Sequence, residues 1–241
     1  LISRHLDALT HCRWVSVSID AGTEEGYERR KGFDGFAAVR DNIRTLRSLS
    51  PGLEITYKFL VTPDNYSEIQ VAARWARDLK CSNFHARPVC KPAVNIQAGD
   101  TEPIFTPEQV VEAAANLKQA AHLFGSQVPV HATTSKFSAA WDREHRFKRC
   151  HAVAMTAVLS PTRLELCCDR RGDPKTTLVS WGGDASWHRV REAITSSWDS
   201  DRHWDLMQRI RLADCPRCTY AIHNELYEAF VLRDDACKNF I

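Results

Sequence analysis

Residues 13–19 read Arg13-Trp14-Val15-Ser16-Val17-Ser18-Ile19, and residues 53–61 read Leu53-Glu54-Ile55-Thr56-Tyr57-Lys58-Phe59-Leu60-Val61. Both runs are rich in β-branched and aromatic residues, which predicts strands. Between them, from Phe33 to Leu49, apolar residues fall at Phe36, Val39, Ile43 and Leu46, the spacing of one helix face, and the pattern stops at Ser50-Pro51-Gly52. The rhythm then repeats. Asp64-Asn65 opens a helix to Lys80, with Asn65 expected as its cap, and a third strand covers Asn83 to Val89. Thr106-Pro107-Glu108 reads as an N-cap with proline at the first helical position of a helix to Phe124, and Val128 to Val130 is a short fourth strand. Strands alternating with helices imply parallel βαβ units, an α/β fold. A doubly wound sheet and a slice of a (β/α) barrel both satisfy the pattern. In either, ligands gather at the C-terminal strand ends, so Ser18 to Asp20, Val61 to Asn65 and Arg87-Pro88 are the segments to watch.

The pattern changes near Lys148. Ala152 to Leu159 and Arg163 to Cys168 resemble a hairpin about Ser160-Pro161, and Thr176 to Trp181 is a further strand. Helices are expected over Ser186 to Thr195, Asp201 to Leu212 and His223 to Leu232. These readings divide the chain into 1–147 and 148–241. The chain opens at Leu1 in text that already reads as mid-domain, so an N-terminal part is expected to be missing.

Composition narrows the function. The 241 residues carry 32 Lys+Arg against 30 Asp+Glu, a net charge of +2, and are 44% hydrophobic. That balance is globular rather than disordered, too neutral for a dedicated nucleic-acid binder, and without an apolar run long enough for a membrane span. A cytoplasmic protein with no membrane or nucleic-acid partner is expected. The basic stretch Arg143 to Arg149 reads as a solvated linker. The histidines form no His-Glu-x-x-His arrangement, which removes support for a zinc hydrolase.

Nine cysteines, an odd number in a long chain, argue against a disulfide scaffold. They are unevenly placed, with Cys12, Cys81 and Cys90 in the first part and Cys150, Cys167, Cys168, Cys215, Cys218 and Cys237 in the second. A Cys-x-x-Cys turn such as Cys215-Pro-Arg-Cys218 lets two thiolates converge on one centre, and two more from a hairpin complete a four-thiolate site. Spacing alone leaves three possibilities open: an iron–sulfur cluster, a structural zinc ion, or unligated thiols.

The first part resembles the C-terminal portion of the radical S-adenosylmethionine barrel. The resemblance lies in Val17-Ser-Ile-Asp-Ala-Gly-Thr23, Tyr27, Lys31-Gly32, Phe36, Val39 and Asn42-Ile43, then in Phe59 to Asn65 with Glu68-Ile69, and in Phe84-His-Ala-Arg-Pro88. The second part is similar to the auxiliary-cluster extensions called SPASM and twitch domains, where a hairpin carries two Cys and a later Cys-x-x-Cys completes one [4Fe–4S] cluster. With only Cys237 beyond Cys218, the one-cluster twitch type fits better. The family's Cys-x3-Cys-x2-Cys loop, which holds its catalytic cluster, does not occur in this chain.

The resemblance therefore implies the C-terminal part of a partial (β/α) barrel followed by a small α+β domain, an oxidoreductase or maturase whose activity belongs to a longer parent. In that parent, S-adenosylmethionine and a catalytic [4Fe–4S] cluster would generate a 5′-deoxyadenosyl radical that abstracts a substrate hydrogen atom. The substrate would be a peptide or small molecule, and the electron donor a flavodoxin or ferredoxin. The auxiliary cluster would accept an electron or anchor substrate, with Cys150, Cys167, Cys215 and Cys218 as ligands. Only one of Cys167 and Cys168 is expected to ligate, because neighbours on a strand face opposite ways, and the resemblance favours Cys167, since Pro161 to Leu166 occupies the family's turn-to-cysteine interval. Ser18 and Lys31 would contact the methionyl carboxylate. Asp20 would face cofactor or substrate, or else serve as a loop carboxylate. Arg87 would add a cation to the mouth, as would Lys58, for which a solvated strand face is the preferred reading. A rival reading of another class is a non-catalytic α/β binding module with a structural four-cysteine zinc site.

Overall fold

Alternate residues of the first-unit strands are buried, because one face of their sheet is packed under helices. The computed structural model describes residues 2–91, 95–96, 98–100, 102–137, 145–215 and 217–233. The chain divides into two compact units, Leu1–Cys90 with Glu102–Ser138, and Lys91–Thr101 with Ala139–Ile241. Among the described residues, no helix is long and apolar enough to cross a membrane.

The first unit runs α1 (Leu6–Thr10), β1 (Trp14–Ser18), α2 (Glu24–Lys31), α3 (Phe36–Leu49), β2 (Glu54–Val61), α4 (Ile69–Asp78), β3 (Asn83–Pro88), α5 (Pro107–Phe124) and β4 (Val130–Ala132). The four strands are all parallel and lie in chain order, β1-β2-β3-β4. Ile55, Tyr57, Phe59 and Val61 of β2 and Phe84 and Ala86 of β3 are buried in one core with Ile43 and Leu46 of α3, Ala72 and Ala76 of α4, and Leu117 and Ala120 of α5. The alternate residues, Thr56, Lys58 and Leu60 on β2 and His85 and Arg87 on β3, are half-buried or exposed on the other face. Thr106 caps α5 as expected. Its hydroxyl accepts from Gln109 N, and Gln109 Oε1 accepts from Thr106 N, a reciprocal capping box.

The β1–α2 connection is held by a part-buried carboxylate. Glu68 Oε2 accepts from Gly22 N at 2.7 Å and Thr23 N at 3.1 Å, binding the entry of α2. A Cβ at Gly22 would lie 2.7 Å from Glu68 O, and one at Gly26 would lie within the Glu68 carboxylate, so both positions need glycine for close approach.

The second unit contains α6 (Ala152–Met155), an antiparallel sheet of β5 (Val158–Ser160), β6 (Arg163–Glu165) and β7 (Thr177–Ser180), then α7 (Trp187–Ser197), α8 (Asp201–Arg209) and α9 (Ala221–Leu226), which runs on into a π-helical turn, Tyr227–Val231. Its apolar centre is small: Val153, Leu164, Leu166 and Leu178, with Trp181, Ile194, Trp198 and Leu206 against it. The strand expected to begin at Ala152 is instead a helical turn followed by a shorter strand. Asn224 Oδ1 accepts from His151 N at 2.7 Å and Ala152 N at 2.9 Å, doing from a distance what an N-cap does locally. The helix expected to reach Leu212 stops at Arg209, and a separate 3-10 turn covers Leu212–Asp214.

Candidate functional site

Six side chains organise the cysteine-bearing segments. Asn224 and Glu228, four residues apart and so on one helix face, grip both flanks of Cys150. Asn224 holds the amides of His151 and Ala152, and Glu228 accepts from Lys148 N at 2.8 Å and Arg149 N at 2.9 Å. Asn224 is fully buried, and its Nδ2 donates to Cys218 Sγ at 3.8 Å. One residue therefore ties the Cys150 segment to the Cys215-x-x-Cys218 loop.

A second tie comes from the turn after β6. The Asp169 side chain is only 4% exposed; it accepts from Thr219 N at 2.6 Å, Thr219 Oγ1 at 2.9 Å and Arg217 Nε at 3.1 Å. Next to it, Arg170 is buried and fixed by Asp173, with Arg170 Nε to Oδ2 at 2.9 Å, and it directs Nη1 at Cys215 Sγ, 3.9 Å away. Within this unit Arg217 Nη1 also donates to Lys91 O at 2.6 Å.

The electrostatics of the four thiols are shared. Burial pushes Cys218 up to about 12, and the neighbouring Cys150, Cys167 and Asp169 push the same way against a donation from the Tyr220 amide. Burial likewise pushes Cys167 up to about 11, opposed by the amides of Asp169 and Arg170. Cys150 is raised by burial and by Cys215, with the Val153 and Ala152 amides opposing. Cys215 is raised by burial and lowered by Arg170. Cys218 thus senses Cys150 and Cys167, Cys150 senses Cys215, and an N–H donor is aimed at each sulfur. Donors of that kind stabilise the anionic thiolate that ligates a metal. As the side chains stand, no three His, Cys, Asp or Glu residues among those described are close enough to hold one ion in common.

Cys167 and Cys168 lie in the turn beyond β6 rather than on a strand, so strand alternation does not separate them. Their neighbours do. Cys167 interacts with Cys218, whereas Cys168 pairs with the Tyr220 hydroxyl. Cys12 is exposed, Cys81 is buried in the first unit with its thiol pushed by burial up to about 12, and Cys90 is half-buried. Cys237 lies outside the described residues.

No protein-family model matches this chain, and no curated protein matches it either.

At the strand ends, Ser18, Asp20 and Arg87 line a small cavity of about 80 Å³ together with Lys58 and His85. Asp20 is buried and left-handed, at φ 61°, a conformation Asp tolerates better than most residues. Its Oδ1 accepts from Leu60 N at 2.8 Å and its Oδ2 from Lys31 Nζ at 2.6 Å. Asp20 thus lines the cavity while holding its own loop, and Lys31 is engaged by it. Asn65 does not cap the following helix. Its Oδ1 accepts from Thr62 N at 2.7 Å and its Nδ2 donates to the carbonyls of Asp20 and Leu60, both at 2.9 Å, locking the β1 and β2 ends together. A larger recess of about 700 Å³ follows β1, lined in part by Val15, Ser18, Tyr27 and Phe33.

Sequence reasoning missed Asp169, Arg170 and Asn224. Asp169 and Arg170 directly follow the paired cysteines, which is the one local signal that could have drawn attention to them. Asn224 carries no such signal.

Proposed function

We propose that the chain is the C-terminal part of a radical S-adenosylmethionine enzyme, a partial (β/α) barrel followed by an auxiliary domain in which Cys150, Cys167, Cys215 and Cys218 hold a [4Fe–4S] cluster. The observation that carries this reading is a chain of neighbouring thiols from three separate segments, Cys218 beside Cys150 and Cys167 and Cys150 beside Cys215, each with an N–H donor on its sulfur. The first unit supports it. Parallel strands in chain order with helices on one face are wound as a barrel wall is, whereas a doubly wound sheet reverses its order and covers both faces.

Bound cofactors supply the difficult chemistry, reductive cleavage of S-adenosylmethionine with hydrogen abstraction from substrate, and one-electron transfer or substrate anchoring at the auxiliary site. The protein's own residues hold and orient. Arg170 brings a buried positive charge to Cys215, and the amides of Ala152, Val153, Asp169, Arg170 and Tyr220 favour ionised sulfurs in a buried setting. Ser18 is free at the strand end for a methionyl carboxylate, and Lys31 would meet that group only in exchange for Asp20. A reductant such as flavodoxin or ferredoxin and a reducing, cytoplasmic setting follow from the same reading.

Metal analysis of anaerobically purified protein tests it. The expected result is about four iron and four sulfide per chain, lost when Cys215 and Cys218 are both replaced by Ala. Stoichiometric zinc without iron or sulfide would overturn the enzyme reading in favour of a four-cysteine zinc module. Iron unchanged in the double variant would overturn the ligand set.

A further inference from the structure

The open face of the parallel sheet carries a continuous polar row. The register pairs Ser18 with Lys58, Lys58 with His85, and His85 with His131, so the row crosses all four strands. In-register neighbours on parallel strands share a face at about 4.8 Å spacing. Arg87 lies two residues beyond His85 on that same face, in register with Leu60. The row contains two permanent cations and two imidazoles. Asp20, which lines the same cavity, is committed to Lys31 and the Leu60 amide. Among the described residues, neither Lys58 nor Arg87 forms an ion pair.

Lys58 and Arg87 stand diagonally on adjacent strands, Lys58 opposite His85 and Arg87 opposite Leu60, so two like charges share one patch of the sheet. Burial lowers the His85 imidazole, and Lys58, Arg87, His131 and Lys136 all add in the same direction. A neutral imidazole flanked by cations keeps both a donor and an acceptor for a ligand. The cavity of about 80 Å³ at Ser18, Lys58, His85 and Arg87 suits one anionic group rather than a whole cofactor.

We propose that Lys58, His85, Arg87 and His131 form a binding strip for the phosphate or carboxylate group of an anionic small molecule, beside Ser18 at the end of their row. The strip stands on the sheet alone. Its assignment to the substrate, which would make that substrate anionic, rests on the enzyme reading above.

The experiment is a titration of the full chain followed by NMR of the histidine ring signals. Inorganic phosphate and succinate are added in separate arms, with sodium chloride at matched ionic strength as control. Saturable shifts of His85 and His131 are expected in at least one arm, and the arm that binds assigns the group. The His85 pKa is expected to rise on binding, since the anion offsets the surrounding cations. Replacing Lys58 and Arg87 together with Gln keeps both strands in register and is expected to weaken binding at least about tenfold, the worth of one charge-assisted hydrogen bond. No saturable shift beyond the chloride control, or equal affinity in the Lys58→Gln/Arg87→Gln variant, would overturn the strip. Anion binding is expected to persist in the Cys215→Ala/Cys218→Ala variant. A zinc result in the metal analysis would remove the enzyme and leave the strip standing.

Discussion

The two units are held together by different physics. In the first, one apolar cluster runs from Val17 to Val128 and includes Tyr57, Phe59, Phe84 and Phe36, all essentially buried. In the second, four buried residues make the apolar centre, and beside them sit buried polar groups: Glu165, Arg170, Thr176, His203 and Asn224. A unit of the first kind is stabilised mainly by removing apolar surface from water. A unit of the second kind depends on a satisfied polar network, and under the proposed cluster reading metal binding would add to it, coupled to folding. The difference teaches where each unit is vulnerable.

Phe84→Ala makes the largest test of that contrast. Phe84 is fully buried, with ring centroids 5.7 Å from Tyr57 and 5.9 Å from Phe59. Its truncation is expected to cost about 3–5 kcal/mol in denaturant unfolding of the first unit while iron content stays the same. Loss of iron along with the first unit's stability would break the separation between the two.

Asn224→Ala comes next, at about 1–3 kcal/mol, because the amides of His151 and Ala152 would be left without their acceptor. Here the expected readout is twofold: a destabilised second unit and weaker iron retention, with hydrogen exchange of β2 and β3 unaltered. If iron retention were untouched, Asn224 would be a purely structural cap.

The smallest effect belongs to Asp64. Burial tends to raise its carboxyl, but the Thr62 hydroxyl at 2.6 Å and the Arg30 guanidinium at 2.5 Å outweigh it and hold the group below its ordinary value. A depressed folded-state pKa stabilises above the ordinary carboxylate value near pH 4, and that stability is lost as pH falls through the group's own lower pKa. Acid titration of stability should therefore flatten slightly in Asp64→Asn, in the first unit alone. Identical acid slopes in the two proteins would assign the pair no role.

Local signals were strong where the structure is locally determined. The strand–helix rhythm from Arg13 to Phe124, the Thr106 cap and the break at Ser50-Pro51-Gly52 were legible because apolar period, cap chemistry and turn residues all lie within a few positions of one another. The Cys-x-x-Cys spacing and the crowding of six cysteines in the second half marked that region, while spacing alone left cluster, zinc and unligated thiols open. Asn65 was misread as a cap, since its partners Asp20 and Leu60 come together only when β1 and β2 pair. Ala152 to Met155 was misread as strand for a similar reason: Asn224, more than seventy residues away, supplies the acceptor that makes a helical turn there.

Taken by itself, the sequence determined an α/β first part, a change of pattern before Cys150, and a candidate set of thiols. Only the tertiary structure decided that the strands lie in chain order with one face left polar, and that Asp20 engages Lys31. It alone set Ser18, Lys58, His85 and His131 in one row. The reason is physical. Periodicity and capping act along the chain, whereas register, burial of a charge and the partner of a buried amide depend on residues that meet only after folding.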